Sequence, residues 1–116
     1  MTSFQAEPPT ITIRGKQTKL RPFGRGVGRI LSQIANVEDE NEKAGAFVVA
    51  FAAIYSLSPA DAFDAVNDEA RFNREVGIAD MELSSDDLTA VAEYIGAVNQ
   101  RTEAAQVTVD DSPGKP

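Results

Sequence analysis

The chain has 116 residues and a net charge of −7, with 42% apolar residues and neither cysteine nor histidine. That length suits one domain with a core large enough to fold unaided. The missing residue types exclude disulfides, thiolate and imidazole metal sites, and nucleophiles activated by histidine. The charge is split along the chain: residues 1–36 carry a net of +5 and residues 37–116 a net of −12. Such asymmetry predicts distinct contact surfaces on one small protein.

Residues 1–9 end in Pro8-Pro9 without periodicity and are read as a flexible N-terminal arm. A single domain is expected over 10–105, made of a hairpin at 10–23 and a helical bundle at 24–105. Thr10-Ile11-Thr12-Ile13-Arg14 alternates and is β-branched, which suits a half-buried strand. After Gly15-Lys16 the run Gln17-Thr18-Lys19-Leu20-Arg21 alternates again until Pro22 stops it. Two such runs around a glycine-containing turn predict a β-hairpin with Ile11, Ile13 and Leu20 inward. Arg14, Lys16, Lys19 and Arg21 then fall at the turn or on the wet face. With Arg25 and Arg29 they make a candidate basic surface. A lone hairpin is marginal in water, so it must pack on the helices or pair with another subunit.

Gly24-Arg25-Gly26-Val27-Gly28-Arg29 punctuates the chain before the helices. It lacks the last glycine of a dinucleotide fingerprint and the Gly-Lys-Ser/Thr of a phosphate loop, so a connector is the stronger reading. Val27, Ile30, Leu31 and Ile34 recur at helical spacing and predict a first helix to about Asn36. The acidic run Glu38 to Glu42 suits the N-terminal turn of a second helix. From Ala44 to Leu57 this helix is apolar almost all round, which places it centrally or under a partner. At 14 residues the stretch is too short for a bilayer, which needs about 20.

Ser58-Pro59 signals a third helix start. Its stripe of Ala60, Phe63, Val66 and Ala70 is expected to end before Gly77, with Ile78 to Leu83 irregular. Ser84 or Ser85 caps a fourth helix whose inner face is Leu88, Val91, Ala92, Ile95 and Val98. Residues 106–116 are read as a disordered, polar C-terminal tail. The fold class is therefore mainly α with an N-terminal β-hairpin (α+β), a small bundle of about four helices.

No catalytic grouping stands out. Asp80, Glu82, Ser84 and Asp86 alternate loosely as in a calcium loop, but Ser85 replaces the required glycine and Val91 the closing glutamate. Carboxylate pairs such as Asp39 with Glu40 and Glu42, or Asp61 with Asp64, lack a substrate cleft around them. The expectation is a protein that is not an enzyme, without metal or cofactor. Partner binding is assigned to the apolar helix, through Phe47, Val48, Phe51, Ile54 and Tyr55. Only Phe23 interleaves the basic residues, so a nucleic-acid partner is disfavoured.

The segment Thr10 to Phe23, with Gly15-Lys16 at its turn and Leu20-Arg21-Pro22 at its close, resembles the opening of bacteriophage tail assembly chaperones. The resemblance extends as architecture over a compact set of helices and a polar tail. It implies a non-enzymatic role: coating the tape measure protein, keeping it soluble, and helping recruit tail tube subunits. It also implies a short and a frameshift-extended form, diverging after Gln106. Self-association by strand addition at the hairpin edge is the other contact expected, and the host-cell cytoplasm is the expected location. Two alternatives stand beside it. One is a structural virion component, such as a head–tail connector or tail-completion protein. The other is a small regulator that sets the basic hairpin on nucleic acid.

Overall fold

The structure is a computed structural model and describes residues 7–24 and 26–110, with side chains through residue 98. Strands β1 (Thr10–Ile13) and β2 (Lys16–Lys19) form an antiparallel hairpin in which Ile13 faces Lys16 and Thr10 faces Lys19. Two residues therefore make the turn, Arg14 at φ 55 and Gly15 at φ 80. Positive φ at both central positions is the twist that a two-residue hairpin requires. The turn lies one residue earlier than the expected Gly15-Lys16, and Lys16 belongs to β2. Ile11, Ile13 and Leu20 are buried as the alternation predicts.

Five helices follow: α1 (Val27–Gln33), α2 (Glu40–Tyr55), α3 (Pro59–Val66), α4 (Glu69–Glu82) and α5 (Ser85–Asp110). The molecule is thus an α+β bundle with an N-terminal hairpin, one helix richer than the spacing suggests. The expected third helix is two, because Asn67 and Asp68 both bond to backbone that a continuous helix would use. Asn67 Nδ2 donates to the Phe63 carbonyl at 2.9 Å, closing α3. Asp68 Oδ1 accepts from the Ala70 and Arg71 N–H groups and starts α4. A side-chain oxygen at an N-cap satisfies donors that the first helical turn leaves orphaned. Once restarted, α4 continues through Gly77 to Glu82, so Ile78 to Glu82 are helical rather than irregular.

The other caps follow the sequence closely. Asp39 accepts from the Asn41 and Glu42 N–H groups at the start of α2, at 2.9 and 3.0 Å. Ser58 caps α3 with Pro59 in its first turn. Of the two serines before α5, Ser84 is the cap, accepting from the Asp87 N–H at 3.1 Å. Helix α5 runs to Asp110, five residues into the segment read as a tail; residues 111–116 lie outside the described residues. Of the expected N-terminal arm, residues 1–6 also lie outside them.

α2 is the centre: it touches each of the other four helices. Ala50 to Tyr55 are all buried, which accounts for a helix apolar on every side. One of its faces stacks aromatics four residues apart. Phe51 lies 4.3 Å from Tyr55 and 6.2 Å from Phe47 between ring centroids, and also meets Phe23 and Tyr94. Beyond this column the core takes Ile30 and Ile34, Ala62, Ala65 and Val66, Phe72 and Ala79, and Val91, Tyr94 and Ile95. Five stripe positions are turned outward: Leu31, Ala60, Phe63, Ala70 and Ala92 are exposed.

Candidate functional site

Residues from the hairpin fix the C-terminal end of α2, and this decides what remains of the expected basic surface. Arg14 folds back from the turn. Its guanidinium donates to Ser56 Oγ at 2.9 Å and to the Ala53 carbonyl at 3.2 Å, and forms an ion pair with Glu75. Arg21 donates through Nε to the Leu57 carbonyl at 2.8 Å and through a terminal nitrogen to the Ile54 carbonyl at 3.3 Å. Its backbone N–H bonds the Tyr55 carbonyl, and its guanidinium lies 4.8 Å above the Tyr55 ring. The last carbonyls of a helix lack partners within it and sit at the negative end of its dipole. Two arginines supply both needs, so Arg14 and Arg21 are anchors rather than free surface charge. Lys16 and Lys19 do face outward on β2, Lys19 beside Glu7 at 3.4 Å. Arg29 is exposed at a separate place and donates to Asn67 Oδ1. Arg25 lies outside the described residues.

The opposite edge of the hairpin is held by acids. The Thr12 N–H donates to Asp87 at 3.3 Å and the Arg14 N–H to Glu82. Strand β1 is thereby closed against α4 and α5, while β2 forms the outer edge of the two-stranded sheet.

The five residues expected to bind a partner divide along α2. Phe51, Ile54 and Tyr55 are 0%, 3% and 5% exposed, so they build the core, Ile54 and Tyr55 showing only an edge to a cleft. Substituting them tests folding. Phe47 and Val48 are only partly buried and belong to different openings. Phe47 borders a cleft of about 300 Å³ with Phe23, Val27 and Leu31. Val48 lies in a groove of about 630 Å³ between α2, α4 and α5.

That groove is the larger and the more apolar of the two. Gly45, Ala46, Val48 and Val49 come from α2, Val76 from α4, and Leu88 and Ala92 from α5; Glu42 and Asp80 are its charged lining. It exists because the core closes only around the second half of α2. In the first half the small Gly45, Ala46 and Ala92 leave room where larger side chains would meet. A side chain added at Gly45 would enter open space. Of these residues only Val48 was expected as a contact. The signal was small residues at 45, 46 and 92 on otherwise apolar helical faces.

Buried Tyr55 shows the electrostatics of the closed end. Its hydroxyl donates to the Gly24 carbonyl at 3.4 Å. Burial pushes its pKa above the ordinary 10.0, against the lowering influence of Arg21 and the Gly24 bond, with Tyr94 adding a smaller upward push. A Cβ at Gly26 would stand 3.1 Å from the same hydroxyl, so the glycine connector brings backbone close to Tyr55.

The candidate acid–base carboxylates have structural work. Asp39 caps α2, and Asp61 and Asp64 lie 3.6 and 4.0 Å from Arg71, which also reaches Glu75. Asp80 and Glu82 sit in α4, Ser84 caps α5 and Asp86 lies in its first turn, so no calcium-type loop forms there. Among the described residues no helix is long and apolar enough to cross a membrane.

Comparison of the chain with protein-family models, with curated proteins and with solved structures finds no match.

Proposed function

We propose that this chain is a non-enzymatic assembly chaperone of a bacteriophage tail, working in the host cytoplasm. It holds an apolar helical stretch of the tape measure protein and helps recruit tail tube subunits around it. The observation that carries this reading is the groove of about 630 Å³ along the first half of α2. Its floor of valine and leucine suits the apolar face of an incoming helix, whose anchors recur every three or four residues. Its small residues let that helix approach closely. The chain's net charge of −7 keeps a coated assembly soluble. The resemblance of residues 10–23 to the opening of tail assembly chaperones supports the same assignment.

A nucleic-acid role draws on less, because Arg14 and Arg21 already hold the end of α2. The test is co-expression with candidate tape measure proteins from neighbouring genes, followed by affinity capture and light scattering. Soluble recovery of an otherwise insoluble tape measure is expected. Mass spectrometry of purified particles separates a chaperone, absent from the particle, from a structural component that remains in it. Failure to retain the tape measure, or presence in finished particles, would overturn the proposal.

A further inference from the structure

At the other end of α2 lies a cleft of about 300 Å³ with a different character. Ile54, Ala62 and Val66 give it an apolar floor, Phe63 and Pro22 its walls, and the backbone of Gly24 and Gly26 its rim. Among the described residues, Arg21 and Arg29 are its charged lining. Phe63 is 60% exposed, and the Arg29 guanidinium lies 5.9 Å from its ring centroid. Among the described residues the ion pairs formed by arginine involve Arg14 and Arg71, and neither Arg21 nor Arg29 has a carboxylate partner.

In a chain with 18 acidic residues against 11 basic ones, an apolar cleft whose charged lining among the described residues is two arginines runs against the average charge. The groove on the first half of α2 has the reverse lining, with Glu42 and Asp80. We infer that the cleft between Arg21, Arg29 and Phe63 is a second binding site, which takes a partner's polypeptide segment carrying a carboxylate beside an apolar side chain. The apolar side chain enters over Ile54 and Ala62 against the Phe63 ring. The neighbouring carboxylate meets the exposed Arg29 guanidinium, whose planar donors match it, while Arg21, held on the carbonyls of α2, adds its positive charge from beneath. Charge complementarity selects the occupant, because the acidic surface elsewhere repels such a segment. This inference does not depend on the tail-assembly assignment.

The test is a titration of the isotopically labelled full chain followed by amide NMR. The probes are two peptides, acetyl-Gly-Asp-Leu-Asp-Gly-amide and its counterpart with Asn for Asp. The acidic peptide is expected to shift the amides of Gly24, Gly26, Ala62 and Phe63. The neutral peptide should bind about two- to fivefold more weakly, as for an exposed charge pair, and added salt should narrow the difference. Arg29→Gln should remove the preference for the acidic peptide. Phe63→Ala, a change at an exposed position, should weaken both. Several results would overturn the inference: no localised shifts at millimolar peptide, equal binding of the two peptides, or an unchanged preference in Arg29→Gln. A short oligothymidylate that shifts these amides more strongly than the acidic peptide would assign the cleft to nucleic acid instead.

Discussion

Arg14 occupies a left-handed backbone conformation, φ 55, that costs a side-chain-bearing residue about 1–2 kcal/mol. Its guanidinium offsets that cost by bonding the end of α2 and Glu75. Arg14→Ala should therefore destabilise the protein by about 2–3 kcal/mol in urea unfolding, from charged hydrogen bonds lost and Glu75 left with only the more distant Arg71. Arg14→Gly should lose about 1 kcal/mol less, because glycine accepts the positive φ. A loss within the ordinary ±0.5 kcal/mol of surface substitutions would contradict the anchoring role. Tyr55 gives a pH test. Its folded-state pKa is raised by burial, so the folded state holds the proton more tightly than the unfolded one. That contribution is complete below the unfolded value near 10.0 and is lost as pH rises through the folded value. Wild-type stability should fall above about pH 10 more steeply than that of Tyr55→Phe, measured by chemical denaturation; parallel curves would contradict it. Neither role was legible in the sequence. Alternation marks Arg14 and Arg21 as polar, but their acceptors lie more than 30 residues away, where local pattern carries no information.

At the scale of elements, the hairpin and the capped helix starts were legible because their signals are local: alternation, Asp39, Ser58-Pro59 and Ser84. The division of α3 from α4 was hidden, since apolar spacing runs on through Phe63, Val66 and Ala70 across the break. Only the Asn67-Asp68 pair marks it. Asp68→Ala should cost about 1 kcal/mol of stability through its lost cap, readable as a lowered thermal midpoint. The apolar periodicity of α2 identified a central helix but could not divide it into a closed half and an open half. That division depends on which neighbours reach each turn. Phe51, fully buried among four aromatic rings, belongs to the closed half, and Phe51→Ala should cost about 3–5 kcal/mol. Val48, in the open half, should tolerate a polar replacement with a much smaller loss. Equal costs at the two positions would remove the distinction on which the candidate groove rests.

For the whole molecule, two of the openings along α2 differ in charge character. The first is apolar with Glu42 and Asp80, and the second is apolar with Arg21 and Arg29. The hairpin belongs to the frame: Arg14 and Arg21 hold the C-terminal end of α2, while the groove lies along its first half. If the open groove binds a partner helix, a substitution at Gly45 should block it. Gly45 lies exposed in the open half of α2, with free space where its side chain would be. Gly45→Gln should leave the fold as stable or stabilise it by up to about 1 kcal/mol through helix propensity, while its side chain enters the groove. Co-expression of wild type and Gly45→Gln with the tape measure protein, comparing soluble recovery at matched thermal midpoints, is the decisive measurement. Recovery is expected with the wild type and a marked loss with the variant. Undiminished recovery by a stably folded Gly45→Gln would contradict it.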